Sequence, residues 1–201
     1  MRVDMIYLAS LSPRRRELLQ QIGIAHELLP VDANEDLEAL EVARSREAPA
    51  RYVRRVAALK LEAALDRMRR LALPLAPILC ADTTVALGRE ILGKPDDAKE
   101  AVRMLKRIAG TTHRVLTAVS LGYGRRRLHA LSESHVTFAA MTSRQMLDYV
   151  RTGEPFGKAG AYGIQGHAAM FISHIRGSYS GVMGLPLFET VALLRQIGWM
   201  R

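Results

Sequence analysis

Met5-Ile6-Tyr7-Leu8-Ala9-Ser10-Leu11-Ser12-Pro13-Arg14-Arg15-Arg16-Glu17-Leu18-Leu19-Gln20-Gln21-Ile22-Gly23 reads as strand, tight turn and helix. The apolar run 5–9 has strand length, and Leu18, Leu19 and Ile22 recur at helical spacing. Ser12 is a residue type favoured at a helix N-cap, Pro13 suits the first helical position, and Gly23 suits a left-handed position beyond the last turn. A strand that turns straight into a helix is the opening of an α/β chain.

Working outward, a second apolar run from Ile24 ends near Val31, and a polar loop covers Asp32 to Ala48. From Pro49 to about Leu71, Val53, Val56, Ala57, Leu61, Ala64 and Met68 form one stripe, with the arginines outside it. That is a long amphipathic helix. Ile78 to Leu87 is apolar enough for a central strand, Asp96 to Ile108 reads as helix, and Val115–Leu121 and Leu128–Phe138 read as a hairpin. Thr142 and Gln145 form a capping box for a helix that stops at Gly153. Residues 157–184 carry seven of the fifteen glycines, which predicts turns there, and a last helix runs from about Pro186 to Gly198. Early alternation followed by a hairpin predicts a mixed sheet with helices packed against it, in the α/β or α+β class with a cleft. Neither repeats nor a linker divide residues 1–201, so one domain is expected.

At 201 residues, 49% hydrophobic and 24% charged, the chain can bury a core without a disulfide or structural metal. Its single cysteine, Cys80, excludes an internal disulfide framework. The apolar runs are too short to span a membrane and the N-terminus lacks a signal-peptide pattern, so a cytoplasmic protein is expected. The net charge of +9 calls for an anionic partner, but 5% aromatic content offers little of a base-stacking platform for nucleic acid.

Four residues stand out against their local pattern. Arg14 and Arg15 open a helix, where the dipole opposes cations and a bound phosphate would offset that cost. Lys60 falls in the middle of the apolar stripe, and Asp82 sits inside a buried strand; either charge needs a partner there. Gly88-Arg89-Glu90-Ile91-Leu92-Gly93-Lys94-Pro95 almost spells a phosphate loop, but proline replaces the hydroxyl residue. Gly93-Lys94-Pro95 is better read as a strand-end turn presenting Lys94. The six histidines lack metal-ligand spacing, so His113 and His135 read as strand or turn residues. Tyr162 and Gln165 are candidates to contact a base or sugar. Together, Arg14, Arg15, Lys60, Lys94, Asp82 and the acidic loop around Glu35 suit a polyphosphate ester and a divalent metal.

Six motifs in order carry a more specific signal: Leu8-Ala9-Ser10-x-Ser12-Pro13-Arg14-Arg15, Tyr52-Val53-x-Arg55-x-Ala57-x-x-Lys60, Ala81-Asp82-Thr83, Gly93-Lys94-Pro95, Lys158-Ala159-Gly160-Ala161-Tyr162-x-Ile164-Gln165-Gly166 and Gly184-Leu185-Pro186-Leu187. In this set the chain resembles the Maf family of nucleoside triphosphate pyrophosphatases. The resemblance implies an inosine triphosphate pyrophosphatase-like α/β fold, its mixed β-sheet flanked by helices in two lobes around a deep cleft. It also implies hydrolysis of a nucleoside triphosphate to monophosphate and pyrophosphate with Mg²⁺ or Mn²⁺, and a homodimer. The family's functional positions fall on Ser10, Arg14, Arg15 and Gln165 for substrate, on Asp82 as general base or metal ligand with Lys60 and Lys94 for catalysis, and on Glu35 with Asp82 for metal. Asn34 stands where the family usually has a second Asp. The 161–166 wording resembles the subfamily acting on dTTP and UTP. Action on 7-methyl-GTP, or regulation of septum formation by binding, are the alternatives the resemblance brings with it.

Overall fold

The opening strand and helix form as read: β1 (Ile6–Leu8) passes through residues 9–12 into α1 (Pro13–Gln21). The computed structural model describes residues 5–30 and 39–200, so Glu35 and Asn34 lie outside the described residues. Ser12 holds the N-cap position in extended backbone, but its side chain makes no cap bond; its own N–H donates to Ser10 Oγ at 3.1 Å. Gly23 adopts φ 69° just past the helix, the left-handed geometry that glycine accepts without strain.

The remaining elements are β2 (His26–Leu28), a 3₁₀ turn at Ala39–Glu41, α2 (Pro49–Arg70), β3 (Ile78–Leu87), β4 (Glu90–Leu92) and α3 (Ala98–Ile108). After them come β5 (Thr112–Tyr123), β6 (Arg126–Phe138), α4 (Ser143–Arg151), 3₁₀ turns at Ala159–Ala161 and His167–Phe171, β7 (Ile172–Arg176), α5 (Tyr179–Met183) and α6 (Leu187–Gln196). α3 starts two residues later than its pattern suggested, because the Asp97 side chain accepts from Glu100 N–H and caps it. The Thr142–Gln145 capping box closes as expected. Within the glycine-rich segment the structure adds β7 and α5, which the sequence reading did not separate from turns.

The sheet is mixed, in the order β2-β1-β3-β5-β6-β7 with β4 attached to β3. β1 runs parallel to β2 and β3; β3–β5, β5–β6, β6–β7 and β3–β4 are antiparallel. One edge of β3 is paired along almost its whole length with β5. Its other edge pairs with β1 only at Ile78 and Leu79, and with β4 only from Val85 to Leu87. Among the described residues, 80–84 therefore have no strand partner on that edge. Because β1 is parallel and β4 antiparallel to β3, the C-terminal ends of both point at this gap. Ser10 follows one end, Gly93-Lys94 the other, and Asp82 lies in the middle.

Alternation along β3 divides its side chains between two faces. Ile78 and Cys80 pack with Leu61, Ala64 and Met68 of α2, and Ala86 packs with Val53 and Val56. Leu79 and Ala81 face α1 and α6 instead. Asp82 thus points to the α2 side and Thr83 to the opposite side.

Candidate active site

On the α2 side, Lys60 reaches across to β3. Its ammonium lies 2.7 Å from Asp82 Oδ1 and 2.7 Å from Glu41 Oε1. The apolar stripe delivers the lysine stem to the sheet, and two carboxylates receive its charge, which accounts for a lysine in the middle of that stripe. Asp82 is 6% exposed, so its anion needs that pairing. Lys94, at the turn after β4, donates to the second oxygen of Glu41 at 2.7 Å. Burial pushes the Glu41 carboxyl up, but Lys60 and Lys94 outweigh it and hold the group below its ordinary range.

On the Thr83 side, the guanidinium of Arg15 makes a three-pronged contact. Nε donates to Gly184 O at 2.8 Å, one terminal nitrogen to Ser10 Oγ at 3.1 Å, and the other to Thr83 Oγ1 at 3.4 Å. Thr117 Oγ1 donates to Gly181 O at 2.7 Å and lies 2.9 Å from Thr83 Oγ1. With the Thr117 proton committed, Thr83 must be the donor between the two hydroxyls, which leaves its oxygen to accept from Arg15. Burial pulls Arg15 below the usual guanidinium value while Asp82 acts against that shift. It stays cationic, starting from so high a value.

Arg15, Glu41, Lys60, Asp82, Thr83 and Lys94 line one cavity of about 630 Å³, a size suited to a nucleotide-sized ligand. Ser10, Arg14, Arg15, Lys60, Asp82, Lys94 and Gln165 all border it, so the described residues of the expected site are brought together. Arg14 is half-buried, and desolvation lowers its pKa. Gln165 is exposed at the rim. Tyr162 borders the cavity but is buried, with its hydroxyl 2.8 Å from His113 Nε2 and its ring against Phe138, so it supports the glycine-rich loop from below. His113 is a buried strand residue, its pKa pushed down to about 4 by desolvation.

Three lining residues escaped the sequence reading. Glu41 lies in an aperiodic acidic loop, where spacing does not separate it from Glu35, Asp36 or Glu38. Thr83 enters from sequence only as the last residue of the Ala81-Asp82-Thr83 motif. Lys158 opens the Lys158–Gly166 motif, and burial, then Arg14, lower its pKa. Among the described residues no group of three or more His, Cys, Asp and Glu gathers as a metal site. No helix among them is long and apolar enough to cross a membrane.

The family model described as Maf-like protein matches residues 5–197. The chain belongs to the Maf family. Among relatives of this Maf protein, the dTTP/UTP pyrophosphatase of Albidiferax ferrireducens is 62% identical over 196 residues, covering 98% of each chain. The dTTP/UTP pyrophosphatase of Polaromonas sp. is 60% identical, covering 97% of this chain and 96% of the relative. That of Cupriavidus pinatubonensis is 63% identical, covering 96% of each. These names favour neither the 7-methyl-GTP alternative nor the septum regulator.

Proposed function

We propose that this Maf protein hydrolyses dTTP and UTP between the α- and β-phosphates, releasing the nucleoside monophosphate and pyrophosphate. The observation that carries the reading is the convergence of Ser10, Arg14, Arg15, Lys60, Asp82, Lys94 and Gln165 on one cavity at the gap in the sheet. The names of the full-length relatives supply the substrate class.

Arg14, Arg15, Lys60 and Lys94 take the triphosphate and neutralise the charge that grows on the leaving pyrophosphate. Ser10 holds a phosphate oxygen and Gln165 holds the nucleoside at the rim. Asp82 accepts a proton from the attacking water, oriented by the Lys60 ammonium on its Oδ1. The cavity wall offers carboxylate oxygens from Asp82 and Glu41, hard donors of the kind that fit Mg²⁺ or Mn²⁺. Asp82 and Glu35 are the residues proposed to hold it. A divalent metal bound there would supply further charge neutralisation on the phosphates. Family resemblance supports a cytoplasmic homodimer in which residues 1–201 act as one unit.

A panel of normal and modified triphosphates, assayed with metal and scored for pyrophosphate against phosphate, tests the reading. dTTP and UTP should lead and release pyrophosphate. Asp82→Asn should fold normally by circular dichroism and lose about 100-fold or more in turnover. Preferential release of single phosphate, or near-normal turnover by this variant, would sink the mechanism.

A further inference from the structure

Two of the four cations expected to await a phosphate already have an anion. Glu41 places Oε1 on Lys60 and Oε2 on Lys94, each at 2.7 Å, bridging two ammonium groups as the oxygens of one phosphate can. Lys60 and Lys94 against Asp82 and Glu41 make a cluster with no net charge, so an incoming polyanion gains little there until one carboxylate leaves. Asp82 is fixed in the central strand. Glu41 is on a turn beside the cavity, its side chain 27% exposed.

The backbone that carries Glu41 is fastened to the N-terminal turns of α2. Tyr52 Oη donates to Glu41 O at 2.7 Å, Arg55 donates to Val42 O at 3.0 Å, and Arg55 pairs with Glu47 at 2.7 Å. The turn can therefore stay in place while the carboxylate rotates out toward solvent. Both lysines pull the Glu41 carboxyl below its ordinary range against its burial, in keeping with the two 2.7 Å contacts.

We propose that Glu41 is an internal stand-in for substrate phosphate, holding the seat between Lys60 and Lys94 in the free protein and yielding it to polyphosphate. It competes with substrate and so sets substrate affinity. The proposal rests on the reading that this cavity takes a nucleoside triphosphate.

The test is calorimetric titration with inorganic pyrophosphate in EDTA, comparing the wild-type protein with Glu41→Gln, which keeps the shape and removes the charge. The variant should bind pyrophosphate about tenfold more tightly, the effect of removing the charge from two competing bonds. Its KM for dTTP should fall, whereas a merely structural role would raise it. Unchanged, weaker or undetectable pyrophosphate binding by the variant overturns the proposal. Tyr52→Phe, which unfastens the turn but keeps the carboxylate, should shift affinity in the same direction and carries the test should Glu41→Gln not fold. The titration requires no turnover. A wild-type protein inactive on dTTP refutes the proposed activity alone, and an active one whose Glu41→Gln variant binds pyrophosphate no tighter refutes the displaced carboxylate alone.

Discussion

Lys60 holds two carboxylates with one ammonium, so its removal deprives the buried Asp82 of that charge and leaves Glu41 with Lys94 alone. Lys60→Met keeps the stem that packs along the helix and deletes only the charge. Breaking a fully buried pair costs about 3–5 kcal/mol, and partial exposure of this cluster lowers the expectation to about 1–3 kcal/mol. Urea unfolding should read that loss, together with loss of dTTP turnover; a variant of wild-type stability would mean that solvent already screens the pair. Lys60 and Asp82 were legible from sequence because each breaks an apolar pattern. Glu41 was not, since it breaks no pattern: only the folded chain brings its turn to Lys60, 19 residues away, and to Lys94, 53 residues away.

Gly160 governs how the Lys158–Gly166 loop meets the sheet. It adopts φ 71°, and a Cβ there would lie 2.9 Å from both methyls of Val85 on β3. Its N–H also donates to Gly93 O at 2.9 Å, tying the loop to the turn that presents Lys94. Gly160→Ala should lower stability by about 1–3 kcal/mol through backbone strain and overpacking, read as a drop in melting temperature, with a parallel loss of activity. An unaltered melt would show that the loop can move off β3 at no cost. Length helped but did not decide legibility, since the three-residue β1 was read from the Ser12-Pro13 helix start that follows it. α2 and β3 announce themselves by 22 and 10 residues of consistent pattern. β4 has three residues and β7 five, the latter a largely polar strand paired, among the described residues, with β6 alone, so neither has enough periods to stand out.

Across the whole molecule, β3 contributes to every hydrophobic cluster: Val85 to one, Leu79 and Ala81 to a second, Ile78 and Cys80 to a third, Ala86 to a fourth. Four clusters sharing one strand should not melt separately. Urea unfolding followed by fluorescence of the single Trp199, in the cluster with β1 and α1, should coincide with far-ultraviolet circular dichroism. Two separated transitions would divide the chain into independent units. The charge surplus that first suggested a polyanion is also distributed at this scale. Arg55, Arg107 and Arg127 pair with Glu47, Glu90 and Glu62, while Arg14, Arg15, Lys60 and Lys94 border the cavity.

Arg15 and the carbonyl of Gly184 that it grips are 169 residues apart. On a ribosome adding about 5–20 residues per second, roughly ten to thirty seconds separate the synthesis of one from that of the other. Until then the nascent chain carries a guanidinium without the backbone acceptor that orients it toward Ser10 and Thr83. The cleft is therefore completed only once residue 184 has been synthesised, and a polypeptide that stops short of it has no assembled seat for a nucleotide.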